Sequence, residues 1–301
     1  PGPPLAMTHD PAASPPAVTP SSTPANSSQA SPSNTPPASE TATAQAAAEL
    51  PPAEGETAER QIVVDTATIQ VVLSNRGARV LHWRLKAFRD QRGSQVDLVP
   101  TEVPSDQPRP FSLVVNDATL TQRMNNALYR VSGDSSGHVD ATKQSAQLVF
   151  EFEGAGGLRV RKEFDFAPSN YVVTFSASAA EGTRTLQPAI AWGPGLGDAG
   201  ALAAGGSFFT GNYTQPPEAI FHRDGSVERV ASAKIAEQGT HDGQFRFAGV
   251  DDHYFIAAAL DPGQGRIEYR PLALAGPGET KRQLLAHSIT PAQPIKGLRF
   301  F

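Results

Sequence analysis

Apolar and charged side chains alternate with a period of two residues between residues 148 and 166. Leu, Val and Phe occupy every second position except that of Lys162, with Glu, Arg and Asp between most of them, on both sides of a glycine-rich stretch at 154–157. A period of two places alternate side chains on opposite faces of an extended strand. The pattern therefore predicts two half-buried strands joined as an antiparallel hairpin.

The register of this hairpin is also predictable. Placing the apolar side chains on one shared face pairs Phe152 with Val160 and leaves a three-residue loop, Ala155–Gly157. Loops of this length use a residue in the left-handed region, which glycine adopts at little cost. The same register sets two pairs of opposite charges across the strands, each stabilising a sheet by about 0.2–1 kcal/mol. These pairs are Glu153 with Arg159 and Glu151 with Arg161.

Strand-like segments recur over the rest of the chain after residue 60, whereas helical periodicity is weak and only Leu196–Ala204 could form a turn or two. Asp224-Gly225 is a strong signal for a tight turn and predicts a second hairpin, from Ala219–Arg223 to Ser226–Val230. The other predicted strands are Tyr171–Ala177, Ile62–Asp65, Ile69–Ser74, Val80–Phe88, Phe111–Val115, Leu128–Val131, Phe245–Val250, Tyr254–Leu260, Ile267–Tyr269 and Leu284–Ile289. We therefore predict an all-β fold with minimal helix, a large antiparallel β-sandwich.

Composition divides the chain near residue 60. Residues 1–59 are rich in Pro, Ala, Ser and Thr, and contain six acidic residues but no Lys, Arg or aromatic residue. Such a segment has too little apolar surface to offset the entropy of ordering, so we predict a disordered tether over 1–59 and a single domain over 60–301. The domain carries 25 basic and 24 acidic residues, a net charge of +1.

Several classes of protein are excluded or disfavoured. A nearly neutral domain has little attraction for a phosphate backbone, so we expect no nucleic-acid partner. The absence of cysteine excludes disulfides, thiolate metal sites and thiol nucleophiles. No apolar run approaches the roughly 20 residues of a membrane span. Because the sequence begins with Pro1 and not Met, we expect that the natural N-terminus is missing.

Two motifs could carry chemistry, and both have a simpler structural interpretation. Gly193–Asp198 superficially resembles a phosphate-binding loop, but Pro194 removes a backbone donor and no Gly-Lys-Ser/Thr follows, which favours a structural loop. Asp251-Asp252-His253 is the nearest approach to an acid–base cluster, since a carboxylate can orient an imidazole. Adjacent strand residues point to opposite faces, however, so at most one of the two carboxylates can serve this histidine directly. The run Tyr254–Leu260 is apolar on both faces, which favours the Asp pair as the end of a buried strand.

The remaining histidines and the aromatic residues suggest no site of defined chemistry. The seven histidines (His9, His82, His138, His222, His241, His253 and His287) show no metal-ligand spacing. A set of aromatic residues could line a sugar or peptide groove, although burial in the core is the simpler role for each. They are Trp83, Trp192, Phe208, Phe209, Tyr213 and Phe221. We assign no catalytic, cofactor-binding or metal-binding residue.

Four segments, taken in order, resemble one family, the large periplasmic domain of the bacterial membrane protein insertase YidC. They are Ile62–Thr66 with Ile69–Val80, Lys162–Phe166 with Asn170–Val173, Trp192–Gly197, and Phe247–Ala258, in which Phe247 stands where the family usually has Trp. The resemblance covers about 62–301, with 1–59 as the variable linker that follows a first transmembrane helix. Family members continue past Phe301 into a helix and the transmembrane bundle, which this sequence lacks.

The resemblance implies a β-supersandwich of the galactose-mutarotase type and a role without catalysis or cofactor. It also implies placement on the periplasmic side of the inner membrane, with attachment through transmembrane helices outside this sequence. The expected partners are components of the Sec translocon and nascent membrane proteins, whose insertion and folding the insertase assists alone or with Sec.

Two alternatives remain open. A carbohydrate-binding or mutarotase-like protein of the same fold would need a His acid and a Glu base that converge in a cleft, for which His222, His253 and Glu268 are the candidates. A secreted structural adhesin would lack flanking membrane spans.

Overall fold

The structure is a computed structural model that describes residues 56–90, 93–100, 103–104, 107–134, 136–196, 216–252, 254–275 and 281–301. Most of the predicted tether and of the predicted turn at Leu196–Ala204 lies outside these residues, as does His253. The strands, in chain order, are β1 (Gln61–Asp65), β2 (Ile69–Ser74), β3 (Arg79–Arg89), β4 (Gln95–Asp97), β5 (Ser112–Val114), β6 (Arg130–Ser132), β7 (His138–Asp140), β8 (Ala146–Gly154), β9 (Leu158–Phe166), β10 (Val173–Glu181), β11 (Arg184–Leu186), β12 (Ala189–Trp192), β13 (Glu218–Arg223), β14 (Ser226–Ala231), β15 (Thr240–Asp251), β16 (Ile256–Ala275), β17 (Lys281–Pro291) and β18 (Leu298–Phe300).

These strands form two sheets that share one apolar core. The five-stranded sheet has the order β4-β3-β2-β1-β7. The thirteen-stranded sheet follows the path β14-β13-β15-β16-β18-β10-β9-β8-β6, with β11 beside β10, and with β17, β12 and β5 extending in turn from β16. Every described strand pair is antiparallel except β1 with β7. The prediction of a large antiparallel all-β sandwich is confirmed.

The predicted hairpin forms in the predicted register. Phe152 pairs with Val160 in the β8–β9 ladder, and the loop is a single 3₁₀ turn at Ala155–Gly157. Gly156 and Gly157 have φ values of 74° and 69°, the left-handed conformation that the loop length requires. Of the two predicted charge pairs, Arg161 contacts Glu151, whereas Arg159 donates a hydrogen bond of 2.8 Å to the carbonyl of Gly182.

The second predicted hairpin also forms. Arg223 of β13 pairs with Ser226 of β14, so the loop is the two residues Asp224 and Gly225. Their φ values are 50° and 88°. Two consecutive positive φ values define the turn type whose twist matches that of flanking strands, which explains why Asp-Gly predicts it.

Two parts of the secondary structure differ from the prediction. The segments predicted as strands Tyr254–Leu260 and Ile267–Tyr269 belong to one 20-residue strand, β16, which begins only at Ile256. A helix that was not predicted, α1 (Ala118–Asn126), is capped by Asp117, whose carboxylate accepts a hydrogen bond of 3.0 Å from the N–H of Leu120. A short α2 (Ile235–Gln238) follows a 3₁₀ turn at Ser232–Lys234. In the part of the chain that the structure describes, no helix is long and apolar enough to cross a bilayer.

The core is built around a stack of aromatic side chains that joins the two sheets. Phe111 lies at its centre, with ring centroids 5.4 Å from Trp192, 4.8 Å from Phe300 and 6.5 Å from Trp83. Trp83 comes from the five-stranded sheet, whereas Trp192 and Phe300 come from the larger one. Burial of this much aromatic surface is the main contribution to stability that the core provides.

A lysine is buried in this core. The side chain of Lys162 is fully buried, and its ammonium donates hydrogen bonds to the carbonyl oxygens of Gly77 (2.6 Å), Ala78 (3.2 Å) and Phe111 (2.7 Å). Three carbonyl acceptors match the three N–H donors of an ammonium group. Burial lowers the pKa of Lys162 well below its ordinary value, and the positive charge of Arg79 lowers it further.

The described chain begins at Glu56, before the predicted domain boundary, and Glu56 is held against the sandwich. Its carboxylate accepts hydrogen bonds from the side chains of Arg60 (2.7 Å) and Asn75 (3.0 Å), and from the N–H of Val131 (3.2 Å). Arg60 in turn pairs with Asp134 at 2.6 Å. These contacts fix the first described residues to the β2–β3 turn and to the segment after β6.

Candidate functional site

The most distinctive surface feature is an apolar groove of about 230 Å³, which we call the aromatic groove. Its walls come from the end of β3, the segment before β10, the β15–β16 loop and the segment after β18. The described lining residues are Trp83, Leu85, Phe88, Leu98, Tyr171, Tyr254, Phe255, Ile256 and Phe301, none of which is charged.

The groove collects side chains that globular domains usually bury. Among the described residues, four large apolar side chains are exposed, and three of them line the groove: Phe88 at 44%, Tyr254 at 77% and Phe301 at 38%. The fourth, Val227 at 52%, lies on β14 and is absent from the groove lining. Scattered exposed apolar residues are ordinary, whereas a cluster around a concave surface is typical of an interaction site.

The β15–β16 loop holds one wall of the groove. The carboxylate of Asp252 accepts hydrogen bonds from the N–H groups of Tyr254 (2.7 Å) and Phe255 (2.8 Å). This local turn ends the ladder before Ile256, so Tyr254 lies in a surface turn and not in the buried strand that its apolar neighbours predicted. Asp252 therefore positions an aromatic wall of the groove.

The opposite wall is fixed by backbone pairing and by aromatic contacts. The N–H of Phe301 donates to the carbonyl of Ala258, and the N–H of Ala258 donates to the carbonyl of Phe301, both at 2.8 Å. The ring of Phe301 lies 6.1 Å from that of Tyr171, which lies 6.5 Å from Phe88, and Phe88 lies 5.6 Å from Phe255. Trp83, only 1% exposed, lines the groove at its buried side. Contacts within the protein thus hold both walls of the groove in place without a bound ligand.

Two of the three mutarotase candidates, His222 and Glu268, do not come together. His222 on β13 pairs with Phe247 of β15, whereas Glu268 on β16 pairs with Thr240 near the other end of β15. The two positions are separated by roughly 20 Å along the strand. His253, the third candidate, lies outside the described residues. Among those described, no group of three or more His, Asp or Glu side chains could hold a metal ion.

The other predicted motifs have structural contacts. The N–H of Gly195 donates a hydrogen bond of 2.7 Å to the carbonyl of Leu285, and a Cβ at Gly193 would lie 1.9 Å from the carbonyl oxygen of Pro108. The N–H of Gly195 is therefore not available to a phosphate group, and Gly193 lies where no side chain would fit. Asp251 is the last residue of β15, where burial raises its pKa while Arg229, 3.2 Å away, opposes that shift.

The aromatic residues singled out from the sequence take different positions. Trp83, Trp192 and Phe221 are buried in the core, and of these only Trp83 also lines the aromatic groove. The other three, Phe208, Phe209 and Tyr213, lie outside the described residues. Phe88 and Phe301, which are exposed in the groove, were not singled out because Phe88 ends a predicted strand, Phe301 lies outside every predicted strand, and no local pattern relates the two residues.

The chain is similar to members of one protein family. Residues 61–295 match the family described as YidC periplasmic domain. A curated relative from Oleidesulfovibrio alaskensis, named membrane protein insertase YidC, is 23% identical over 232 residues, which are 76% of this chain and 40% of that protein. Another, with the same name and from Endomicrobium trichonymphae, is 27% identical over 141 residues, 46% of this chain and 22% of that protein. The matched regions therefore span less than half the length of these relatives.

Solved structures similar to the chain include a galactose mutarotase related enzyme from Lactobacillus acidophilus, with a TM-score of 0.43 and 9% identity, covering 80% of this chain and 96% of that one. A galactose mutarotase-like protein from Lactobacillus casei has a TM-score of 0.42 and 10% identity, covering 78% and 90%.

The family match extends over 61–295 of the 301 residues and so includes the whole run of strands from β1 to β17. The chain belongs to the YidC periplasmic domain family.

Proposed function

We propose that this chain is the non-catalytic periplasmic part of a YidC-type insertase, and that it assists the insertion and folding of inner-membrane proteins, alone or with the Sec translocon. Membership of the family supports the insertase role, because the curated relatives bear the name membrane protein insertase YidC. The domain stands on the periplasmic side of the membrane, attached through helices outside this sequence.

The observation that carries the proposal is the aromatic groove. None of its described lining residues is charged, and exposed Phe88, Tyr254 and Phe301 offer apolar surface suited to the apolar segments of membrane proteins before these enter the bilayer. Contact with the groove would shield such a segment from water. The separation of His222 from Glu268 supports a role without acid–base catalysis.

Photo-crosslinking tests this role in the complete insertase. A photoreactive residue is placed at Tyr254, or at Val227 as a matched exposed apolar control, while a membrane protein is being synthesised and inserted. We expect client adducts at position 254 and far fewer at 227. Equal labelling at both positions, or none at 254, would argue against the groove as a client contact.

Two further measurements address the partner and the absence of catalysis. The 301-residue chain should retain detergent-solubilised Sec subunits better than residues 1–59 alone, and equal retention would count against the Sec contact. Polarimetry with galactose or glucose should show anomer interconversion at the buffer rate, whereas acceleration by the chain would overturn the non-catalytic assignment.

A further inference from the structure

We infer that the aromatic groove takes a single bulky, uncharged side chain, aromatic in preference to aliphatic, from an extended segment and not from a formed helix. This inference rests on the function proposed above and adds the conformation and chemistry of the segment that the groove recognises.

The size of the groove sets the first limit. A cavity of about 150 Å³ holds a benzene ring, so a groove of about 230 Å³ has room for one large side chain and not for a whole α-helix, which with its side chains is about 10–12 Å across. A helix could therefore rest on the rim but not enter. In an extended segment alternate side chains point to the same face, about 7 Å apart, so one side chain can enter while its neighbours remain outside.

Charge sets the second limit. No described lining residue is charged, and the tyrosines, Tyr171 and Tyr254, bring hydroxyl groups as polar atoms. A carboxylate or phosphate would lose its hydration without a charged partner among the described lining residues. A cation could still interact with aromatic faces, so a lysine side chain is the competing occupant. The uncharged lining is complementary to an uncharged apolar side chain.

The orientation of the rings favours an aromatic guest. Phe88 and Phe255 meet at 84°, and Tyr171 and Phe301 meet at 76°. Rings inclined this steeply offer both edges and faces at the boundary of the groove, and aromatic pairs gain stability in such contacts beyond that from area burial. A phenyl ring that enters the groove therefore makes more favourable contacts with these rings than a leucine side chain does.

A small site can bind a side chain with useful affinity when its walls are already ordered. Asp252 fixes the backbone of Tyr254 and Phe255, and the paired hydrogen bonds between Ala258 and Phe301 fix the opposite wall. Little ordering of the groove is then required when a side chain enters, which leaves more of the burial energy as affinity.

The chain contains two tryptophans, which provide an internal reporter and its control. In an NMR titration of the 301-residue chain, the indole signal of Trp83 should shift more than that of Trp192, because only Trp83 lines the groove. The probes are short Ser/Thr-rich peptides with a central Phe, Leu, Ala or Lys, together with a helix-stapled version of the Phe peptide. We expect the Phe peptide to bind most tightly and the Ala peptide at least about tenfold more weakly.

Tyr254→Ser should weaken binding of the Phe peptide several-fold, while Val227→Ser should leave it unchanged. The inference is overturned if the stapled helix binds as tightly as the flexible peptide, if the Lys peptide binds more tightly than the Phe peptide, or if none shifts Trp83. Client adducts at position 254 combined with any of these results would refute this inference alone. The absence of client adducts at position 254 would instead argue against the groove as a client contact, on which the proposed function depends.

Discussion

The Nζ atom of Lys162 lies 2.6 Å from the carbonyl oxygen of Gly77, a residue 85 positions earlier in the chain. This hydrogen bond joins β9 of the larger sheet to the β2–β3 turn of the smaller sheet. Gly77 has a φ of 69°, and a Cβ there would lie 2.4 Å from the carbonyl oxygen of Asn125, so the turn is tightly constrained on both sides. Lys162 thus links the two sheets at a closely packed turn.

Replacing Lys162 by Met should lower the free energy of unfolding by roughly 3 kcal/mol or more. Met fills a similar volume but leaves the carbonyl groups of Gly77, Ala78 and Phe111 without a donor, and each buried unsatisfied group costs about 1–3 kcal/mol. Chemical denaturation measures the change. Lys143→Met, which removes an exposed lysine, is the control. Equal unfolding midpoints for the two variants would show that Lys162 does not stabilise the sandwich.

Gly249→Ala should be strongly destabilising. A Cβ at Gly249 would lie 2.0 Å from the carbonyl oxygen of Ala257 and 2.5 Å from the Cα of Ala258, so β15 and β16 would have to separate. Overpacking of this kind costs about 1–3 kcal/mol and more when backbone must move. Gly195→Ala is the matched control, because a Cβ there meets its neighbours at an ordinary 3.6 Å. Thermal unfolding of both variants checks the difference, and a stable Gly249→Ala protein would contradict the strand spacing described above.

His287 should make the domain less stable in mild acid. It is 1% exposed, stacks on Trp192, and has no hydrogen-bond partner among the described residues, and burial lowers its pKa from 6.5 to about 3. Because the folded pKa is the lower one, the unfolded state binds the extra proton between these values, and stability falls as pH decreases from about 6.5 to 3. Between pH 7 and pH 5 this group alone should remove about 2 kcal/mol.

His287→Phe should retain the aromatic stack and weaken this pH dependence. Most carboxylates keep their charge down to pH 5, so denaturation at pH 7 and pH 5 isolates the histidine contribution. The loss between these two pH values should be about 2 kcal/mol smaller in the variant. An unchanged loss would mean that the imidazole is charged in the folded protein.

Arg60→Gln should loosen the first described residues and reduce stability at neutral pH. Burial acts to raise the pKa of Asp134, but hydrogen bonds from Arg60 and from the N–H groups of Ser136 and Gly137 outweigh it and hold the pKa below its ordinary value. Because the folded pKa is the lower one, the stability that Asp134 contributes is present above the ordinary pKa of 3.8 and is lost as pH falls through the folded pKa.

The difference in stability between Arg60→Gln and the unaltered chain should therefore be present at pH 7 and shrink in strong acid. Hydrogen exchange should also accelerate at residues 56–60 in the variant. Arg184→Gln, which removes an exposed pair with Glu181, should show neither effect. A difference that persists at the lowest pH would point to lost packing instead of lost charge.

Local sequence patterns predicted the two hairpins because neighbouring residues determine the register and the turn of a hairpin. The β8–β9 register and the Asp224-Gly225 turn depend on alternation and on backbone conformations that are properties of neighbouring residues. Helix α1 was missed although Asp117 is a typical N-cap and Leu120 and Met124 form its buried side, because nine residues give little periodicity.

The aromatic groove could not be predicted, since its walls lie far apart in sequence. Phe88, Tyr171 and Phe301 meet only after the two sheets have packed, and no local pattern relates the three residues. The sequence predicts a buried Tyr254 because this residue begins the apolar run Tyr254–Leu260. The hydrogen bonds from the backbone to Asp252 are what turn it outward, and these depend on the loop conformation.

Strand β18 has a consequence for the order in which the domain can be completed. It lies between β10 and β16, pairing Val173 with Phe300 and Leu260 with Arg299, and it follows every other described strand in sequence. Until it arrives, β10 and β16 each present an open edge and the central aromatic stack lacks Phe300. A chain that emerges N-terminus first can thus complete the folding of this domain only after β18 has emerged. A completed larger sheet therefore indicates that the chain has emerged as far as Phe300.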